Sequence, residues 1–314
     1  MRRLRFGPVL LLLALAATSP LAAQPAVDPN LEEDVVTGIG LLNSELGLLL
    51  AGGNPVLGTA SPLGTKFRWM PRFNIGGRIG FGWVDVPDII SYPADPTAPV
   101  GRIDVNAVLP QLDISVGVFD GFDLGSTLGG FGALEVLGSL GSVVLSADDG
   151  FQNDATGAGL GVRAGLLRES FTFPGVSISA SYKWFGRVQL GSVERGSDAQ
   201  YGFDMAAWSV RAGISKSFVA IGLALTLAYD HFETDYDWGL AGAPGELVPV
   251  VPEGSPVNLD GESWSAFVDV SYIVLFFNIV GEVGWQEEVR RTNSRGDELT
   301  AGGLLGALGI RFTL

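Results

Sequence analysis

The chain has 314 residues, with 34 acidic and 19 basic side chains, a formal net charge of −15 and no cysteine. The lack of cysteine excludes disulfides and thiolate metal sites, and the acidic balance argues against nucleic-acid binding, which needs a basic surface. Mean hydropathy is positive at +0.33, yet after the N-terminal region no run of about 18 apolar residues predicts a membrane-spanning helix. Such a chain either buries its apolar residues in a soluble core or turns them toward lipid in a closed barrel.

Residues 1–23 have the features of a secretory signal peptide. Arg2, Arg3 and Arg5 precede the apolar run 9–17, and small residues follow as far as Ala23. An apolar run of about ten residues is too short to span a membrane. We therefore expect export, with cleavage after Ala23.

Most of the chain after residue 66 alternates between apolar residues and polar or small ones. In the clearest run, residues 176–184, apolar residues occupy every second position and three serines and Lys183 lie between them. A period of two is typical of a β-strand with one apolar face. Seven clear runs and three weaker ones predict ten strands, at 73–83, 105–118, 131–146, 158–167, 176–184, 208–215, 221–230, 264–272, 279–286 and 308–314.

The connections between these strands alternate between long and short. The long ones are residues 87–102, 147–157, 189–204, 234–262 and 291–301. Phenylalanines gather near the short turns, whereas tryptophans and tyrosines gather near the long loops, as two aromatic belts around a lipid-facing band would. We therefore predict an all-β fold, a transmembrane antiparallel up-and-down β-barrel over 66–314. Its long loops are expected to be extracellular, and both termini periplasmic at the short-turn end.

The last nine residues, GALGIRFTL, have apolar residues at every second position. This segment resembles the C-terminal strand that bacterial outer-membrane barrels present to their assembly machinery, although the usual final aromatic residue is replaced by Leu314, with Phe312 two positions earlier. The resemblance implies a location in the bacterial outer membrane. It implies outer-membrane lipid and the barrel assembly machinery as partners.

Residues 24–65 fit neither the helical period nor the strand period well. They are interpreted as a plug in the lumen, a helix or extra strands, and the last alternative would raise the strand count to twelve. The sequence AGGNPVLG at 51–58 is similar over a few residues to the Asn-Pro-Ala element near the N-terminus of outer-membrane fatty-acid transporters, with Val56 in place of the alanine. Asn-Pro is also an ordinary turn signal.

Charged residues follow the polar face of the predicted strands and so point into the lumen. A lipid-facing Arg or Lys at mid-membrane depth costs about 2–4 kcal/mol, which requires this arrangement. The predicted lumen charges are Arg78, Asp113, Arg163, Lys183, Arg211, Asp269, Glu282 and Arg311. They line a permeation path or form an internal ion-pair network that fills a narrow barrel.

Strand pairing predicts which of these charges meet. Asp269 and Glu282 are about equally far from the turn at 276–277, so we expect them to be cross-strand neighbours. Arg311 is nearly as far from the middle of the 291–301 loop as Glu282, and barrel closure brings Arg78 beside Arg311. The predicted lumen charge cluster therefore comprises Arg78, Asp269, Glu282 and Arg311, with Arg211 as a candidate further member.

No pattern of catalytic, cofactor-binding or metal-binding residues stands out. The single histidine, His231, follows Asp230, as in the Asp–His pairs of the omptin surface proteases, but neighbouring residues of a strand point to opposite faces. We therefore expect no enzyme activity and no cofactor. The predicted function is a narrow channel or transporter for small or hydrophobic solutes. The alternative is a structural or surface-display barrel that acts through its long loops and has no permeation path.

Overall fold

The structure is a computed structural model that describes residues 29–66, 70–87, 102–125, 128–242, 246–252, 254, 257–292, 294, 296 and 298–314. The predicted signal peptide and most of the predicted loop 87–102 lie outside these residues. One helix, α1, spans Pro29–Ala51. The strands are β1 (Thr65–Lys66), β2 (Met70–Pro87), β3 (Arg102–Phe119), β4 (Ala133–Val143), β5 (Ala155–Leu167), β6 (Gly175–Leu190), β7 (Ala199–Phe218), β8 (Ile221–Ala241), β9 (Leu247–Val251), β10 (Asn258–Val274), β11 (Phe277–Gln286), β12 (Val289–Thr292), β13 (Glu298–Ala301) and β14 (Leu304–Thr313).

Ten of these strands close into one antiparallel barrel. Sequential neighbours pair from β2 through β8, then β8 pairs with β10, β10 with β11 and β11 with β14. The last strand pairs with the first, for example at Leu308 and Ile79, which closes the sheet. Short strand β9 adds to β8, and β12 and β13 form a separate hairpin. The prediction of a ten-stranded up-and-down barrel is confirmed, and the twelve-strand alternative is wrong.

The outer surface of the barrel wall is apolar and carries aromatic residues at both ends. Phe276, Phe277 and Phe312 contact one another beside a short turn, with ring centroids 5.9–6.5 Å apart. Toward the long loops, Tyr229 lies 5.6 Å from Trp208 and 5.2 Å from Trp264, measured between ring centroids. Two aromatic belts around an apolar band are typical of a wall that faces lipid.

The strands extend further toward the long loops than the sequence predicted. Residues 234–262 were expected to be loop, but β8 continues to Ala241 and β10 begins at Asn258. In these extensions, and in the matching start of β7, the polarity of the two faces is reversed. Asp235 is exposed on the outside, whereas Trp238 of β8 and Tyr201 of β7 are buried inside with their ring centroids 5.8 Å apart. Beyond the lipid the outer face meets water and carries acidic residues. The strand prediction relied on outward-facing apolar residues at every second position, so it missed these extensions.

Pro110 lies within β3 and is exposed on the outer face of the wall. It pairs with Ile79 of β2. On the other side the pairing of β3 with β4 ends at Gln111 and resumes only at the single bridge formed by Val108. Proline has no N–H to donate to a sheet ladder, which accounts for the interruption.

Helix α1 lies inside the barrel. Its segment Glu32–Ala51 is long and apolar enough to span a membrane, but 94% of the most apolar part of this segment is buried within the protein. The N-terminal end of α1 lies among the long loops, where the N–H of Ser294 donates to Asp34 Oδ1 at 2.9 Å. Leu314, in contrast, bonds to Phe73 beside the short turns. The two ends of the barrel itself, the start of β2 and the end of β14, therefore lie together at the short-turn end as predicted, whereas the described start of α1 lies at the opposite end.

Candidate functional site

The lumen is occupied by α1 and by the following residues 52–64, which we call the lumen segment. Beyond Gly52, whose N–H still donates to the carbonyl of Leu48, the lumen segment is not helical, so most of its main-chain groups lack helical partners. Buried main-chain N–H and C=O groups need hydrogen-bond partners from elsewhere. Charged side chains of the barrel wall supply them.

The first contact is at the end of α1. Gly52 has φ of +68°, the left-handed conformation that commonly ends a helix. Arg211 Nη2 donates to the carbonyl of Ala51 at 2.9 Å, and Nη1 donates to that of Gly53 at 2.6 Å. The same guanidinium is paired with Asp230 at 3.1 Å. Arg211 therefore satisfies carbonyls that the end of the helix leaves without intrahelical partners.

The second contact is built around Asn54. Its main-chain N–H donates to Glu282 Oε2 and its Nδ2 donates to Asp269 Oδ2, both at 2.7 Å. The N–H of Gly58 also donates to Asp269 Oδ2, at 3.1 Å. Arg78 Nη1 lies 3.4 Å from Glu282 Oε1 and donates to the carbonyl of Asn54 at 3.3 Å. One asparagine of the lumen segment thus joins two wall carboxylates.

The third contact involves a buried ion pair between Arg163 and Glu135, with Nη2 and Oε2 2.7 Å apart. Arg163 also donates to the carbonyls of Thr59 at 3.2 Å and Ser61 at 3.3 Å. Glu135 accepts from the N–H of Leu63 at 2.6 Å. Both charged side chains are almost fully buried, and each of them contacts both its partner on the wall and the main chain of the lumen segment.

The short-turn end of the lumen segment is held outside the membrane-spanning part of the wall. Asp120 Oδ1 accepts from the N–H of Thr65 at 3.0 Å and is paired with Arg168 at 2.7 Å. Burial of the Asp120 carboxyl raises its pKa. The hydrogen bond from the Thr65 N–H and the charge of the Arg168 guanidinium lower the pKa by more than burial raises it, so the pKa of Asp120 lies below the usual value.

Some of the predicted cluster residues are brought together. Asp269 and Glu282 are direct cross-strand partners, and Arg78 contacts Glu282. Arg211 lies apart from this pair, with Asp230, and Arg311 donates to the carbonyl of Leu57. Five wall arginines therefore contact carbonyls of Ala51 and of the lumen segment, in the order Arg211, Arg78, Arg311, Arg163 and Arg72 along the chain.

Arg311 is not beside Glu282 because the predicted register of β14 is wrong. Glu282 pairs with Ala307, so Arg311 lies four residues further along β14. Pairing continues from the barrel wall into the hairpin of β12 and β13, in which Thr292 is opposite Glu298. The turn therefore lies nearer to β11 than the middle of the predicted 291–301 loop.

Neither the predicted lumen charges nor the predicted cluster included Asn54, Glu135 and Asp230, which take part in these contacts or support them, and the cluster also lacked Arg163. Asn54 was interpreted as a turn residue or as part of an element similar to one in fatty-acid transporters, and nothing in one sequence indicates its two distant partners. Glu135 lies between Leu134 and Val136, which are exposed on the outer face. That alternation was available in the sequence, but it was obscured by the length of the glycine-rich stretch around it.

Little space remains between the lumen segment and the wall. One cavity, beside Arg78, Lys183 and Arg211, has a volume of about 20 Å³. Another, beside Leu57 and Arg311, has a volume of about 10 Å³. A cavity of about 10–15 Å³ on this measure holds one water molecule. Neither cavity is large enough for an organic solute.

A much larger concavity lies on the outer surface instead. It has a volume of about 1270 Å³ and extends across β2, β3, β4 and β5 as far as Trp184. Small residues face outward here, including Gly77 and Pro110, between larger apolar side chains such as Leu112 and Leu140. Because it opens on the lipid-facing wall, acyl chains or other apolar molecules are suited to fill it.

His231 lies on the outer face above the belt of Trp208 and Tyr229. Its ring centroid is 5.6 Å from that of Trp208, and its nitrogens lie 3.8 Å from Glu233 and from Glu262. Asp230 points into the barrel, where it is fully buried. The two neighbours therefore lie on opposite faces, and Asp230 does not orient this histidine.

The apolar outer band, the two aromatic belts and the charged interior make the chain an outer-membrane β-barrel. No protein-family model matches the sequence, and no curated protein matches it. Similar solved structures include the translocator domain of the autotransporter NalP from Neisseria meningitidis, with 11% identity, 77% of this chain and 88% of that chain covered, and a TM-score of 0.41. The toluene transporter TodX of Pseudomonas putida is another, with 7% identity, 82% of this chain and 96% of that chain covered, and a TM-score of 0.33.

Proposed function

We propose that this outer-membrane barrel works with its lumen closed and acts through its long-loop end, which faces the outside of the cell. The observation that carries the proposal is the anchored lumen segment. Five wall arginines donate to carbonyls of Ala51 and of the lumen segment, and Glu282, Asp269 and Glu135 accept from its N–H groups. A solute path would require these buried contacts to break together.

The structure of the long-loop end supports a role in contact with the surroundings. The extensions of β7 and β8 enclose an apolar core around Tyr201 and Trp238, which makes this end of the barrel rigid. Acidic side chains cover its outside, and Asp235 and Asp204 are direct cross-strand partners. An acidic surface of this kind favours cationic partners and repels anionic ones.

Electrical measurement tests the closed lumen. We expect the purified full-length barrel, reconstituted in a planar bilayer, to give no steady stepwise conductance, whereas a general porin reconstituted in the same way gives it. Open steps at low voltage in most insertions would contradict the proposal. Labelling of single cysteines on whole cells tests the orientation: Glu194→Cys in a long loop should react with an impermeant reagent, and Thr172→Cys in a short turn should not.

A second candidate function is transport of an apolar solute, and the outer concavity is the observation that favours it. Gly77 faces this concavity, and a Cβ added there would meet no atom within 4 Å. Gly77→Leu should therefore fill the concavity without straining the wall. If the barrel takes up apolar solutes here, the variant should lose quenching of Trp184 by a brominated alkane and lose uptake together. Unchanged quenching and uptake would remove this candidate.

A further inference from the structure

The direction of α1 in the lumen is fixed by contacts along its whole length. At the long-loop end, Asp34 accepts from Ser294, and Gly40 lies against the guanidinium of Arg291, since an added Cβ would fall 2.7 Å from it. Deeper in the barrel, Gln286 Nε2 donates to the carbonyl of Ser44 at 3.0 Å. Each later residue of the helix therefore lies further from the long loops.

The chain that follows continues in the same direction to the opposite end. The lumen segment passes Asp269 and Glu282 in the middle of the wall and reaches Asp120 beside the short turns. Strand β2 then begins at that end, paired with β1. The stretch from α1 to β1 thus runs through the barrel from end to end, and Glu32 and Glu33 are exposed at the long-loop end.

The two ends of this stretch lie on opposite sides of the membrane. A main chain cannot cross lipid outside a helix or a closed sheet, because its polar groups would be unsatisfied there. The barrel sheet is closed, with β14 paired to β2, and α1 is surrounded by its wall. The lumen is the route that remains for the N-terminal end of α1.

We propose that this barrel exports its own N-terminal arm, so that the start of α1 is displayed on the cell surface after passing through the lumen. The inference rests on the proposed orientation of the long loops. It gives the barrel a further function as a surface anchor for the start of α1 and for the short stretch that remains before Pro29 after the predicted cleavage at Ala23. The ligand class is therefore a polypeptide of this same chain, and the lumen arginines bind its main chain.

Single-cysteine variants test the proposal in intact cells, and the chain has no cysteine of its own to react. Glu33→Cys reports on the start of α1, Glu194→Cys on a long loop and Thr172→Cys on a short turn. We expect an impermeant maleimide to label the first two variants at comparable extents. Thr172→Cys should be labelled only after the outer membrane is permeabilised.

The outcomes separate this inference from the orientation on which it rests. Labelling of Glu194→Cys without Glu33→Cys would overturn the export of the arm and leave the orientation intact. Labelling of Thr172→Cys alone would overturn both. If Glu33→Cys does not accumulate as a folded barrel, an epitope inserted directly before Pro29 gives the same information: antibody binding to intact cells supports the proposal, and binding only after permeabilisation contradicts it.

Discussion

Asp269 and Glu282 face each other on β10 and β11, and both carboxylates accept a hydrogen bond from Asn54. Two carboxylates at adjacent positions repel each other unless donors lie between them or a cation is near. Asn54 supplies two donors, and Arg78 supplies the cation. The wall site is therefore complete only when the lumen segment is in place.

Asn54→Ala should destabilise the barrel. The substitution removes the amide donor to Asp269 and keeps the main-chain donor to Glu282. Loss of a hydrogen bond to a buried charge costs about 1.5–3 kcal/mol of the free energy of unfolding. Thermal unfolding in detergent measures the change, and Asn258→Ala, at an exposed position, is the matched control. Equal melting temperatures for the two variants would contradict the assigned role.

Arg163 and Glu135 should show strong energetic coupling. Arg163→Met leaves Glu135 buried without its cation, and breaking one partner of a buried ion pair costs about 3–5 kcal/mol. The double variant Arg163→Met, Glu135→Leu should cost less than the sum of the single variants, because neither charge then remains. A double-mutant cycle on thermal stability measures the coupling, and additive effects would show that the pair is not formed.

Gly53→Ala should be damaging although the change is small. A Cβ at Gly53 would lie 1.8 Å from Glu282 Oε1, so the carboxylate or the lumen segment has to move. Overpacking of this kind costs about 1–3 kcal/mol. Gly77→Ala is the control, since its Cβ would meet nothing within 4 Å. The melting temperature should fall for Gly53→Ala and stay unchanged for Gly77→Ala.

The contact of Asp120 with Thr65 should weaken in acid. The pKa of Asp120 is lowered in the folded barrel, so its stabilising effect is present above the unfolded value of about 3.9 and is lost as the pH falls through the lower folded value. Asp120→Asn should therefore melt below the wild type at neutral pH, and the difference should shrink when the pH is taken below about 4. A difference that is constant with pH would exclude a role for the ionised carboxylate.

The membrane-spanning strands were predictable because lipid imposes a strict alternation on them. Val268 and Val270 are exposed to the outside and Asp269 lies between them on the inside, which one sequence shows directly. Asp269 and Glu282 could also be paired, since a tight turn leaves little freedom in register. The partner of Arg311 could not be predicted in this way, because the pairing in the β12–β13 hairpin moves the turn away from the centre of the loop.

Helix α1 was not predictable as a helix because it is surrounded by the barrel. A helix with one exposed face shows an apolar stripe, whereas a helix buried all round does not. Most residues of α1 after Glu33 are buried, and these include Asn43, Ser44 and Glu45. Those polar residues interrupt the apolar run in the sequence. In the structure they are nevertheless buried in the lumen, where the carbonyl of Ser44 accepts a hydrogen bond from Gln286 of the wall.

The wall arginines bind the lumen segment by its carbonyl oxygens and not by its side chains. These contacts do not depend on which side chain each residue of the segment carries, although Val56, Leu57, Ala60 and Leu63 are themselves buried against the wall. Insertions and deletions are different, because a single added residue would move every later carbonyl away from its arginine. The barrel should therefore tolerate conservative substitutions in the segment better than any change of its length.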